Sequence, residues 1–138
     1  MAPSDDETEA LPDSLMPGVC WSFVGDTHLS RESFVEAVRD YERSIRRTAT
    51  WTPERIVFRA PRIAVQYMYW DGQDQVEPIV EPTSDNGKYF TAAELLHKIH
   101  NAVVIQLRDI DRHFFEGLEF SGVRESDWVA EYRLRQGS

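Results

Sequence analysis

The sequence predicts an α+β fold: a single, largely antiparallel sheet with two helices packed on one face, in the order β-α-β-β-β-α-β-β. Three observations carry this. Two segments, 31–47 and 91–112, place apolar residues at helical spacing. Around them run short segments rich in β-branched and aromatic residues, bounded by turn residues. Strands that follow one another through hairpin-length connections, with two interposed helices, give an antiparallel sheet with both helices on one side.

The clearest element is the second helix. Thr91 and Glu94 fit a capping box, and Phe90 and Leu95 are spaced for a hydrophobic staple. At 100° per residue, Ala92, Leu95, Leu96, Ile99, Val103, Leu107 and Ile110 form one broad stripe, which a sheet should cover. Glu94, His97, Lys98, Asn101, Arg108 and Asp109 fall opposite, with His100 on the margin. Val104 and Ile105 point away from the stripe, which fits either two scattered exposed apolar residues or a contact patch.

The remaining elements follow in chain order. Residues 1–17 hold five acids, three prolines and no base, and are expected to be a disordered acidic tail. Residues 18–138 then make a single α+β domain. Val19–Val24 is a short apolar strand. Ser30 caps a helix over 31–47, with Phe34, Val38, Tyr41 and Ile45 at helical spacing. Arg55–Ala60 is a strand ended by Pro61. Arg62–Trp70 is the expected central strand, apolar on both sides, which invites a cover for its second face. Gln75–Glu81 is a third strand, confined by Pro78 to an edge or bulge. Asn86-Gly87 marks a tight turn before the second helix. Phe114–Phe120 and Trp128–Arg135 are the last two strands, with Trp128, Ala130, Tyr132 and Leu134 on the buried side.

From the first helix onward, the order α-β-β-β-α-β-β resembles that of class I secretion chaperones, which are also small and acidic. The likeness is one of topology and no motif accompanies it. The final helix of that family has no counterpart after Trp128. The resemblance implies a dimer that presents grooves to an extended client.

Composition narrows the function classes. The 138 residues suit one ordinary domain, and no run approaches the length of a membrane span. The first ten residues carry no Lys or Arg, unlike a secretory or transit peptide. Cys20 is the one cysteine, so no internal disulfide forms, and a cytoplasmic location is expected. The net charge of −9 is segregated. Residues 31–62 hold eight arginines and five acids, whereas Asp71, Asp74, Glu77, Glu81 and Asp85 occupy a segment with no base. The arginines interleave with acids, which argues against nucleic acid. Such segregation suits steering of a charged partner or pairing with a second copy.

The chemical constellations are weak. His97, His100 and Asp111 are the candidates for a metal-dependent hydrolase, since Glu-x-x-His spacing places two ligands on one helix face. The outer face of a helix yields such pairs by chance. Cys20, inside an apolar strand, reads as structural. Asp26 and His28 lack a neighbouring nucleophile. No P-loop or calcium-loop pattern is present. The leading expectation is therefore a non-enzymatic, cofactor-free, protein-binding domain, resembling in character bacterial immunity or antitoxin proteins that mask a partner. That partner is expected to be basic, met by Asp71, Asp74, Glu77, Glu81 and Asp85 or by Val104 and Ile105. A homodimer is compatible with the same surfaces. The alternatives are the secretion-type chaperone and the hydrolase.

Overall fold

A computed structural model of the protein describes residues 11–45 and 51–137. Among these residues, two helices, a mostly antiparallel mixed sheet and ten short strands in all make it α+β. In chain order these are β1 (Ser14–Leu15), β2 (Trp21–Ser22), α1 (Arg31–Ser44), β3 (Ile56–Phe58), β4 (Ala64–Gln66), β5 (Tyr69–Asp71), β6 (Asp74–Val76), β7 (Ile79–Val80), β8 (Phe90–Thr91), α2 (Ala92–Leu107), β9 (Phe114–Val123) and β10 (Ala130–Gly137).

Both helices begin where their caps predict. Ser30 Oγ accepts from Ser33 N at 3.1 Å, and Thr91 Oγ1 accepts from Glu94 N at 3.2 Å. Each satisfies an amide that has no intrahelical partner. The return half of the expected capping box is not made. Glu94 Oε2 instead accepts from Asp85 N at 2.6 Å and pairs with Lys98 Nζ at 2.8 Å. α2 stops at Leu107, short of the expected 112, and Ile110 N turns back to Leu107 O.

The stripe of α2 is buried as expected, but so are Glu94, His97, His100 and Val104. α2 is covered on two sides. Phe34 of α1 packs its ring on both His97 and His100, at 5.1 and 5.5 Å between centroids. α1 contributes Phe34 and Val38 to the core. Its predicted last residues, 46 and 47, lie outside the described residues. Two buried polar groups, the Glu42 carboxylate and Trp51 Nε1, have no hydrogen-bond partner among the described residues.

The main sheet runs β1-β9-β10-β4-β7, with β2 also on β9. All its pairs are antiparallel except β10 with β4, which is parallel. On β10, Ala130, Tyr132 and Leu134 are buried while Arg133 and Arg135 are exposed. Arg135 lies 3.8 Å from Glu119 of β9, so the outer face of this sheet is charged. The expectation of a second apolar face fails because residues 62–70 are not one strand. Gln136 holds Met68 by both backbone groups, accepting from its N–H at 2.7 Å and donating to its carbonyl at 2.9 Å. The side chain occupies the place of the next ladder bonds, and the chain leaves the sheet to form the β5–β6 hairpin. Pro78 behaves as predicted: β7 follows it and is an edge strand.

The predicted tail requires a correction. Residues 11–17 are docked on the folded sheet, with Ser14–Leu15 paired into it as β1. Leu15 pairs with Leu118, Phe120 N donates to Asp13 O at 2.8 Å, and the Tyr132 hydroxyl donates to Pro12 O at 2.8 Å. Leu15 and Met16 are buried. Gly117 makes room for this segment, since a Cβ there would stand 3.0 Å from Pro17 Cα. Composition misled here because two apolar residues among prolines and acids are enough to add a short strand to a ready edge. Residues 1–10 lie outside the described residues.

Leu15→Ala should therefore cost about 2–5 kcal/mol, the usual loss for a buried leucine, and deletion of residues 1–17 should cost more. Urea unfolding of both variants checks this, and a midpoint unchanged by the deletion would return the segment to tail status.

Candidate functional site

The second-helix histidines are the first candidates, and both are saturated. His100 Nδ1 accepts from Trp21 Nε1 at 3.1 Å, and its Nε2 donates to Asp26 O at 2.8 Å. His97 Nδ1 accepts from Arg31 Nε at 2.9 Å, and its Nε2 donates to His28 O at 2.8 Å. A neutral imidazole has one lone pair to give a metal, and in each ring a donor already occupies it. His97, expected on the outer helix face, is buried beneath the 25–31 segment instead. Asp111 is exposed beyond the end of α2. Among the described residues no group of three or more His, Cys, Asp or Glu is arranged to hold a metal ion. The rings act as struts: Asn101 adds a bond from its Nδ2 to His28 O at 2.9 Å, and its Oδ1 accepts from His28 N at 2.9 Å.

The expected contact pair on α2 divides. Val104 is fully buried, because α2 is covered on two sides, and is corrected from contact residue to interior. Ile105 is 54% exposed.

The acidic segment divides as well. Asp85 bonds Lys98 Nζ at 2.8 Å and lies 3.4 Å from Arg31. The hydrogen bond from Lys98 holds its carboxyl below the usual range. Glu81 accepts from Arg124 at 2.6 Å and is lowered for the same kind of reason. These two acids serve the fold's own cations. Asp71, Asp74 and Glu77 do not: all three are exposed, on or beside the β5–β6 hairpin, and none forms an ion pair among the described residues. Trp70, the neighbour of Asp71 on β5, is 49% exposed, and Tyr69 stacks on Tyr67 at the hairpin base, 6.1 Å between centroids.

A further surface was missed in the sequence. Trp128, expected on the buried side of the last strand, precedes β10 and is 78% exposed. Its φ of 62° is left-handed, a position that glycine or asparagine ordinarily fills and that strains a bulky residue by about 1–3 kcal/mol. The turn enforces it. Trp128 N donates to Arg124 O at 2.7 Å, and Arg124 N donates to Val129 O at 2.9 Å. Inside the turn, Arg124 forks onto Asp127 with Nε to Oδ1 at 2.9 Å and Nη2 to Oδ2 at 2.7 Å. That fork pulls the Asp127 carboxyl down to about 2. Beside Trp128 lies a groove of about 620 Å³, lined largely by apolar side chains including Leu11, Phe58, Ala60, Val123 and Ala130. The only warning in the sequence was a tryptophan directly after the polar run Arg124–Asp127.

No family model, curated protein or solved structure matches this chain. No helix among the described residues is long and apolar enough to cross a membrane.

The histidine struts make stability depend on acid. Burial holds His97 below its ordinary value and His100 down to about 4, against the opposing pull of its bond to Asp26 O. Both are neutral in the folded and unfolded chain above pH 6.5. Below that the unfolded chain takes up protons that the folded one refuses, so stability falls. His100 alone should remove about 3 kcal/mol between pH 6.5 and 4, with His97 adding in the same direction. Urea midpoints measured at pH 7.5, 6, 5 and 4 check this, and a flat profile over that window would contradict the neutral, buried state of His100.

Proposed function

We propose that this chain is a protein-binding domain that masks a basic partner, the work done by immunity and antitoxin proteins, rather than an enzyme. The observation that carries the reading is the β5–β6 hairpin, where Asp71, Asp74 and Glu77 are exposed and form no ion pair among the described residues, and where Trp70 is also exposed. Carboxylates without an ion pair among the described residues, where Glu81 and Asp85 are paired internally, are available to an outside cation. Their field reaches about 10 Å at ordinary salt and speeds encounter with a basic surface. Trp70 supplies the apolar, low-entropy contact that charge alone lacks. The hydrolase reading loses its support from the second helix, whose imidazole nitrogens are already committed to Trp21, Arg31 and two backbone carbonyls.

The test is affinity capture from the native host with the wild-type chain and with Asp71→Lys, Asp74→Lys, Glu77→Lys as paired baits. A partner should be retained by the wild type, released by salt and absent from the variant. With that partner purified, the variant's association rate at low salt should fall by about 10-fold or more. Equal retention on both baits would remove the hairpin from the binding surface.

A further inference from the structure

We infer that Gln136 is a positioning residue for the β5–β6 hairpin: its side-chain amide holds the hairpin in one pose, so that the acidic tip meets a partner preformed. The inference rests on the reading of that hairpin as the binding surface. A two-stranded hairpin is marginal in water on its own, and this one lies outside the main sheet. Its attachment to the body is therefore what orders it. Among the described residues, the hydrogen bonds that join the hairpin to the body fall at its base, on Met68 and Glu77.

The first leg carries the stronger tether. Gln136 Oε1 accepts from Met68 N at 2.7 Å, and Gln136 Nε2 donates to Met68 O at 2.9 Å. The same nitrogen donates to Arg112 O at 3.0 Å, between α2 and β9. One side chain thus ties together β10, the hairpin base and the turn that follows α2. The second leg is held more loosely, by Gln66 Nε2 donating to Glu77 O at 3.4 Å. Just beyond it, Tyr67 N donates to Pro78 O at 3.1 Å. Among side chains of this length, the role requires a primary amide, which carries an acceptor and two donors on one planar head. A carboxylate could accept from Met68 N but would face two carbonyl oxygens. Gln136 is mounted on β10, an interior strand between β9 and β4, so the clamp does not itself hang from a loop. Preformed contacts avoid the cost of ordering on binding. Charge governs the rate of encounter, whereas fit governs the lifetime of the complex. Loss of the clamp should leave association close to wild type and speed dissociation.

Backbone 15N relaxation of the full chain reads the pose without a partner. In the wild type, order parameters of residues 69–71 and 74–76 should lie near the roughly 0.85 of rigid backbone, and in Gln136→Leu they should fall below about 0.6. β9 and β10 should keep their wild-type values, which serves as the control for folding. Gln136→Glu keeps the length and the acceptor but loses both donors, and should loosen the hairpin as well. The Asp71→Lys, Asp74→Lys, Glu77→Lys variant should keep an ordered hairpin, which separates pose from charge. In the affinity capture described above, Gln136→Leu used as a third bait should retain at low salt the partner that the charge variant loses. It should release that partner about 10-fold faster than the wild type. A hairpin equally ordered in the wild type and Gln136→Leu, a hairpin mobile in both, or an unchanged partner lifetime overturns the inference. Equal retention by the charge variant would end the binding reading, not the hold of Gln136 on the hairpin.

Discussion

The pair of buried imidazoles on α2 fixes how the first third of the chain is attached. Trp21, Asp26, His28 and Arg31 all end on His97 or His100, each through a bond of 3.1 Å or less. A polar group in an apolar interior is costly unless its partners are supplied. Here the supply comes from one contiguous stretch, residues 21–31, and meeting the demand sets the position of β2, the loop after it and the start of α1. Phe34 then closes over both rings. The arrangement gives α2 its second covered side. It also explains why Val104, one turn on from His100, is interior rather than surface.

What the sequence disclosed follows from how local each signal was. The caps Ser30 and Thr91, the α2 stripe, the turn at Asn86-Gly87 and the edge position imposed by Pro78 depend on a few neighbouring residues, and all appear in the structure. Apart from Trp128, the differences share one cause, a partner distant in sequence. The α2 stripe alone puts His97 on the outer face and His100 on its margin, and the segment covering them lies about 70 residues earlier. The long central strand was broken by Gln136, 68 residues away. Leu15 and Met16 were lost in an acidic, proline-rich context because their partner is Leu118 on β9. Trp128 was assigned to the strand face by simple alternation, which a left-handed residue at the strand's entry defeats.

The acidity of the chain is likewise not one property. Glu81 and Asp85 are structural, tied to Arg124 and Lys98, and Glu94 is drawn inward to join Lys98. Asp71, Asp74 and Glu77 are left over, on a hairpin that the main sheet does not include. A count of charges along the sequence treats these groups alike; their pairing separates scaffold from surface. On the outer sheet face Glu119 and Arg135 likewise meet, across the consecutive strands β9 and β10.

The position of β10 bears on how the chain comes to be folded. It follows every other element among the described residues, yet it lies inside the sheet, between β9 and β4, with Tyr132 fully buried. Until residue 137 leaves the ribosome, β4 and β7 have no neighbour on one side and the core lacks Tyr132 and Leu134. The parallel register of Glu131 with Ala64 closes a loop of more than sixty residues, a slow step by its entropy alone. A nascent chain should therefore keep the α2 stripe exposed until β10 has emerged and found its place between β9 and β4.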